Sequence, residues 1–239
     1  MALAYRAVIF DLDGTLVSEE HGVEQATAAV AEALSSQGYA VSGEALNAAR
    51  IAVVREAMAE NRGTWPSWLT RVEWMRRAFV VVDVPAELAP DLAPVYLEGR
   101  LAGLTLIGDA LQLLDALRPH VPTTLITNGD SAEQRLKLDR VGLNDYFPQP
   151  VISAEFGAQK PAAEIFLHTV GTLGVRPSEA IYIGNSYGND VEGAAGAGLD
   201  SIWFNERGSA APVDATLHPD HTCAHLRSVG AALGIEFPD

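Results

Sequence analysis

Five short apolar runs, each closing on a polar residue or a turn, most constrain what this chain can fold into. Arg6–Phe10 (RAVIF) stops at Asp11, Thr123–Thr127 (TTLIT) at Asn128, Ala180–Ile183 (AIYI) at Gly184-Asn185 and Ser201–Phe204 (SIWF) at Asn205. Pro150–Ser153 (PVIS) is a weaker fifth. Runs this short and continuous suit strands buried on both faces of a parallel sheet. Helical patterns at Ser131–Val141, Ala162–Leu173 and Asp190–Ala197 separate the last four. The alternation predicts an α/β fold: a Rossmann-like open parallel sheet with helices on both faces.

Residues 17–103 break that rhythm. They hold no clear strand run, while Val23, Ala26, Val30, Ala33 and Leu34, and then Trp68, Leu69, Val72, Met75 and Phe79, repeat at helical spacing. Ala86–Leu101 is a third helical candidate, interrupted by Pro90 and Pro94. The reading is an all-helical domain over 17–103, inserted into an α/β core made of 1–16 and 104–239. Glu206–Asp220 reads as a loop, with a last short strand near His221–Cys223.

The 239 residues are 48% hydrophobic, enough for a sizeable core. A net charge of −15 excludes nucleic acid and anionic membrane surfaces as partners, because both need a basic face. An anionic substrate must instead be met by local positive charge. Only two lysines are present, Lys137 and Lys160, so chemistry that needs a lysine must use one of them. The single cysteine, Cys223, fits a reducing compartment. MALAYRAVIFDLDG turns acidic too early for a signal peptide, and no apolar run approaches the about 20 residues of a membrane span. A cytoplasmic protein is expected.

In an open parallel sheet, ligands bind beyond the carboxyl ends of the strands. There the first run delivers Asp11-Leu12-Asp13-Gly14-Thr15, whose carboxylates are hard donors for Mg²⁺; alone, the string also reads as a turn. An EF-hand is excluded, since the twelfth position from Asp11 is Gly22 and a strand precedes the loop. The second run delivers Thr127, Asn128 and Gly129, which suit a phosphate oxygen or an Asn-Gly turn. Lys160 precedes Pro161 at a helix start and is either a fixed charge or a surface lysine. The fourth run delivers Asn185 and Asp190.

Gly184–Gly188 (GNSYG) also spells a serine nucleophile elbow at Ser186. His218, His221 and His225, with Asp200, Asp214 and Asp220, are available as partners. That reading leaves Asp11, Asp13, Thr127 and Lys160 without a role. Convergence of all the strand ends on one phosphoryl group and one Mg²⁺ uses every one of them. Gly193, Gly196 and Gly198 read as close helix packing and a helix stop, not a dinucleotide site.

DLDGT, ITNGD, QKP and IYIGNSYGND resemble, in order, the four motifs of the haloacid dehalogenase superfamily. The likeness runs from Ala7 to about Asn205 and extends to RLKLDRVGLNDYF, PAAEIFLHTVGTLGV and DVEGAAGAGLDSIWF. The helical segment resembles the superfamily's cap in position and class. The resemblance implies that Asp11 attacks phosphorus and that Asp13 acts as general acid, then general base. It gives the phosphoryl oxygens to Thr127, Asn128 and Gly129, and charge compensation to Lys160. Mg²⁺ is implied on Asp11, the Asp13 carbonyl, Asn185 and Asp190. The cap is implied to close over the site and choose the leaving group.

One position departs from the pattern: the fourth motif usually opens Gly-Asp, and here it is Gly184-Asn185. A unit charge pair at about 4 Å is worth about 4 kcal/mol at an effective dielectric of roughly 20. Asn185 is therefore expected to be a weak ligand and Asp190 the main anionic one.

Asp13 favours phosphate chemistry over carbon–halogen cleavage, which needs no leaving-group proton. The absence of lysine from 17–103 argues against a Schiff-base phosphonate hydrolase. The expectation is a Mg²⁺-dependent phosphatase acting on a small phosphorylated metabolite, monomeric or homodimeric. The alternatives are a sugar phosphomutase, a serine esterase built on the GNSYG loop, and an inactive binding protein. Arg55, Arg62, Arg71, Arg76 and Arg77 are candidates for an anionic substrate, or solvated helix faces. Trp65 and Trp68 would stack on a substrate ring or pack the helical core. Glu19, Glu20 and His21 lie where the chain enters the helical segment.

Overall fold

The computed structural model describes residues 4–19, 21–61, 66 and 69–235. Glu20, Arg62, Trp65 and Trp68 lie outside the described residues. The chain forms two compact units, one of Met1–Ser18 with Thr105–Asp239, the other Glu19–Leu104.

In the first unit the apolar runs are strands. They are β1 (Ala7–Phe10), β2 (Val17–Ser18), β3 (Thr105–Leu106), β4 (Thr123–Thr127), β5 (Val151–Ile152), β6 (Ala180–Gly184), β7 (Asp200–Phe204) and β8 (His221–Cys223). Six of them form one sheet, ordered β5-β4-β1-β6-β7-β8, and every pairing in it is parallel. β1 lies between β4 and β6, with Ile9 opposite Thr124 and Tyr182, and all four of its residues are fully buried. The chain builds outward from β1 to β4 and β5, then returns to β6 and continues to β8. The order therefore reverses beside β1, and a crevice opens at such a point beyond the strand ends. Val17 and Ser18 form β2, which pairs antiparallel with Thr105–Leu106.

The second unit is helical among its described residues: α1 (Gly22–Ser36), α2 (Gly43–Glu60), α3 (Arg71–Val81) and α4 (Ala89–Ala102). Ser42 and Thr70 cap α2 and α3 by accepting from Ala45 N and Glu73 N. Val30, Leu34, Leu46, Met75, Phe79, Leu92 and Tyr96 share its core. Pro90 sits in the first turn of α4, where no N–H is required. α2 escapes a sequence reading because its buried positions Leu46, Ala49, Val53 and Ala57 include two alanines.

The sheet is covered by α5 (Ala110–Leu117), α6 (Ser131–Arg140), α7 (Ser153–Phe156), α8 (Ala163–Thr172), α9 (Gly193–Gly196) and α10 (Leu226–Leu233). Ile165, Phe166 and Val170 of α8 pack on Ala7, Ile9, Ile126 and Tyr182. Two expectations change. Pro150–Ser153 shortens to a two-residue strand, because Ser153 begins α7 and its hydroxyl accepts from Gly129 N at 3.0 Å. Asp190–Ala197 is not one α-helix: a π-helical turn, Tyr187–Glu192, precedes α9. Within that pair, Gly193 does pack closely, since a methyl there would meet the Phe166 ring at 2.9 Å, whereas Gly196 faces open space.

Candidate active site

Asp11 follows the last residue of β1, and its N–H donates to Ile183 O at 2.9 Å, continuing the ladder toward β6. Its side chain is 8% exposed. Thr15 Oγ1 donates to Asp11 Oδ2 at 3.1 Å, and Lys160 Nζ donates to Oδ1 at 2.6 Å. Lys160 Nζ also donates to Asp190 Oδ1 at 2.7 Å and Tyr182 Oη at 2.7 Å. Asp11 with Thr15, Lys160, and Tyr182 with Asp190 thus come from three separate stretches of sequence to meet in one buried cluster.

The cluster holds two carboxylates against one ammonium. Burial raises the Asp11 carboxyl to about 7 despite the attraction of Lys160, and the neighbouring Asp190 charge pushes the same way. Burial opposes the charge on Lys160, but the Asp11 and Asp190 charges and hydrogen bonds outweigh it and hold the ammonium above the ordinary lysine value. Burial, then the same two carboxylates, pushes the Tyr182 hydroxyl well above its usual value, so it stays a neutral donor.

Asp190 reaches this cluster from the π-helical turn. Its Oδ2 accepts from Ser186 N at 2.8 Å. Gly184 makes room for it: a methyl there would stand 2.4 Å from Asp190 Cγ. Lys160 on Oδ1 and the Ser186 N–H on Oδ2 thus fix the Asp190 carboxylate at both ends. Asn185 is exposed, and its side chain lies against Gly14, whose φ of +81° and missing Cβ let the two loops meet. Trp203 Nε1 donates to Asn185 O at 3.0 Å and holds that loop from β7.

Thr127 ends β4 and is 1% exposed. Beside it, Asn128 Nδ2 donates to Lys160 O at 3.0 Å and its Oδ1 accepts from Lys160 N at 2.9 Å. The amide therefore clamps the backbone that carries the lysine. Gly129 N, as noted, donates to Ser153.

Asp13 is one-third exposed and makes contacts that strand-end reasoning did not find. Lys137 Nζ donates to Asp13 Oδ1 at 2.8 Å, and Gln134 Nε2 donates to Oδ2 at 2.8 Å and to Thr127 Oγ1. Tyr182 was also missed, read only as part of an apolar strand. The signal for Lys137 was its rarity: each of the chain's two lysines reaches one of the two DLDGT carboxylates.

The serine-elbow alternative loses its support. Ser186 Oγ caps the π-helical turn, accepting from Asn189 N at 3.4 Å, and His218 Nδ1 pairs with the Tyr187 hydroxyl at 3.2 Å instead. In the helical unit, Arg77 pairs with Glu73 at 2.9 Å, Arg55 and Arg76 are exposed, Arg71 is half-buried, and Glu19 pairs with Arg100. His21 is the exposed residue preceding α1.

The family model for haloacid dehalogenase-like hydrolases matches residues 5–198. The chain belongs to that family. It is 27% identical over 236 residues to N-acylneuraminate-9-phosphatase of Rattus norvegicus, covering 95% of this chain and 93% of the relative. It is 31% identical over 202 residues to ribulose-1,5-bisphosphate 5-phosphatase of Halopiger xanaduensis, covering 83% and 84%. The fold matches the magnesium-bound HAD-hydrolase YfnB of Bacillus subtilis with a TM-score of 0.78, at 23% identity over 97% of this chain and 99% of that one. This haloacid dehalogenase-like protein is a phosphoric monoester hydrolase.

The candidate donors for a cation are hard oxygens: the Asp11 and Asp190 carboxylates, the Asn185 amide and the Asp13 main-chain carbonyl. Among the described residues, no three Asp, Glu, His or Cys side chains converge as a ready-made metal cluster. A Mg²⁺ site does not require one, because that ion is commonly held by one or two carboxylates, water and substrate phosphate. The surplus negative charge around Asp11 suits a cation, so the residues fit Mg²⁺. Among the described residues no helix is long and apolar enough to cross a membrane.

Proposed function

We propose that this phosphatase hydrolyses a small phosphorylated metabolite through an aspartyl-phosphate on Asp11, with Mg²⁺ as cofactor. The observation that carries the reading is Asp11 at the end of β1, buried and hydrogen-bonded by Lys160 at 2.6 Å, with Asp13 two residues on.

An Asp11 oxygen attacks phosphorus as the bond to the leaving oxygen breaks, and Asp13 gives that oxygen its proton. Asp13 then takes a proton from water, which attacks the aspartyl-phosphate and releases phosphate and free Asp11. Lys160 keeps two approaching anions together, with Asp190 and Tyr182 fixing its position. The Thr127 hydroxyl suits a phosphoryl oxygen, while the Asn128 side chain serves by clamping Lys160. Asp11, the Asp13 carbonyl, Asn185 and Asp190 would hold Mg²⁺. The bound ion supplies charge neutralisation for phosphoryl transfer.

The names of the two relatives put phosphorylated sugars first among substrates, ahead of phosphoglycolate and nucleoside monophosphates. The helical unit is proposed as the family's cap, carrying substrate selectivity.

The test is phosphate release from p-nitrophenyl phosphate with Mg²⁺, with excess EDTA, and with Asp11→Asn. Turnover that needs the metal and vanishes in the variant is expected. Turnover that survives in Asp11→Asn sinks the covalent mechanism, and turnover untouched by EDTA sinks the cofactor.

A further inference from the structure

Lys137 and Gln134 take no part in that scheme, yet both are buried from α6 toward the site. The Lys137 side chain is 4% exposed and Gln134 1%. Their spacing of three puts them on one helix face. Burying an amide and an ammonium is unfavourable unless each finds partners. The partners here are active-site groups: Lys137 donates to Asp13 Oδ1 and lies 3.7 Å from Glu133, while Gln134 donates to Asp13 Oδ2 and to Thr127 Oγ1.

This arrangement does two things. Each Asp13 oxygen accepts one of these bonds, so the carboxylate is held at both ends by donors from one helix face. Gln134 also spends its second N–H on Thr127 Oγ1, which leaves the threonine's own proton to be donated, its present acceptor being Asn128 O at a long 3.5 Å. A phosphoryl oxygen needs a donor there.

We propose that Lys137 and Gln134 are positioning residues that hold the Asp13 carboxylate in its proton-transfer geometry and tie it to the phosphate-facing Thr127. The inference rests on the Asp11 and Asp13 roles given above. Small displacements of a proton-transfer group are costly, since such catalysis contributes about 10²–10⁴-fold.

The test compares kcat/KM for two esters in the wild type, Lys137→Met, Lys137→Arg and Gln134→Met. One ester is 2,4-dinitrophenyl phosphate, whose leaving group departs without a proton; the other is an alkyl phosphate that the wild type hydrolyses. kcat/KM covers the steps up to leaving-group loss, so later hydrolysis of the intermediate does not enter. In Lys137→Met and Gln134→Met the alkyl ester should lose on the order of 10²-fold and the dinitrophenyl ester less than about threefold. Lys137→Arg, which keeps a cationic donor, should recover part of the loss. Gln134→Met carries the same expectation if Lys137→Met does not fold. Equal losses on both esters indicate a structural role and overturn the inference, as does unchanged alkyl hydrolysis. A wild type with no Asp11-dependent turnover overturns it together with the mechanism. Asp11-dependent turnover without selective loss in the variants overturns this inference alone.

Discussion

Lys160 Nζ stands 2.6 Å from Asp11 Oδ1, with both side chains buried although the two residues are 149 positions apart in sequence. The same ammonium is the partner of Asp190 at 2.7 Å. Removing it leaves two buried carboxylates without their shared cation. Lys160→Met is expected to cost about 3–5 kcal/mol of stability, the usual effect of deleting one member of a buried pair. Urea denaturation measures this, and a loss below about 1 kcal/mol would mean that water reaches the cluster freely.

Gly184 and Asp190 are so close that any side chain at 184 displaces the carboxylate from Lys160. Gly184 also ends a central strand, so its backbone has little freedom to retreat. Gly184→Ala should cost about 1–3 kcal/mol and lower phosphatase activity. A variant within about 0.5 kcal/mol of wild type would show that Asp190 can move aside without consequence.

Asn185 brings an amide where a carboxylate would bring charge. Asn185→Asp is expected to lower the Mg²⁺ concentration for half-maximal rate by at least about threefold, a modest fraction of what a full charge pair allows. Calorimetric titration with Mg²⁺ gives a readout independent of turnover. Equal affinities in the two proteins would remove Asn185 from the metal site.

Cys223 is 6% exposed at the end of β8, and burial raises its thiol above the ordinary cysteine value. The thiolate is the reactive form, so the folded protein should alkylate with iodoacetamide at pH 8 at least about tenfold more slowly than the urea-unfolded chain. The folded rate should keep rising as pH passes the ordinary thiol range. Fast labelling of the native protein would contradict both the burial and the shift.

Much of the core was legible because strand and helix write different periods. RAVIF, TTLIT, AIYI and SIWF are β1, β4, β6 and β7 within a residue of their read bounds. Short apolar runs in helical alternation have few other folded solutions. Elsewhere the reading fell short: Ala110–Leu117 and Leu226–Leu233 are helices that were not picked out although their buried residues recur at helical spacing, and Asp190–Ala197 divided into a π-helical turn and α9.

The candidate site was legible only as far as strand ends reach. Asp11, Asp13, Thr127, Lys160, Asn185 and Asp190 follow or end core elements, and position in an open sheet singles them out. Lys137, Gln134 and Tyr182 lie within elements. A polar residue inside a helix reads as a solvated face until the sheet it packs on is known, and a tyrosine in an apolar run reads as core. Asn128 was seen at its strand end, but nothing local says that its side-chain amide will meet the Lys160 backbone.

The sequence by itself therefore determined the strand–helix alternation, the acidic pair after the first strand and the scarcity of lysine, because these depend on residue type and local period. Only the tertiary structure decided that Lys160 serves Asp11 and Asp190, that Lys137 and Gln134 face Asp13, and that Asp190 lies over Gly184. Those pairings join residues up to 149 positions apart, and sheet register with buried-charge compensation selects them, neither of which has a local signature.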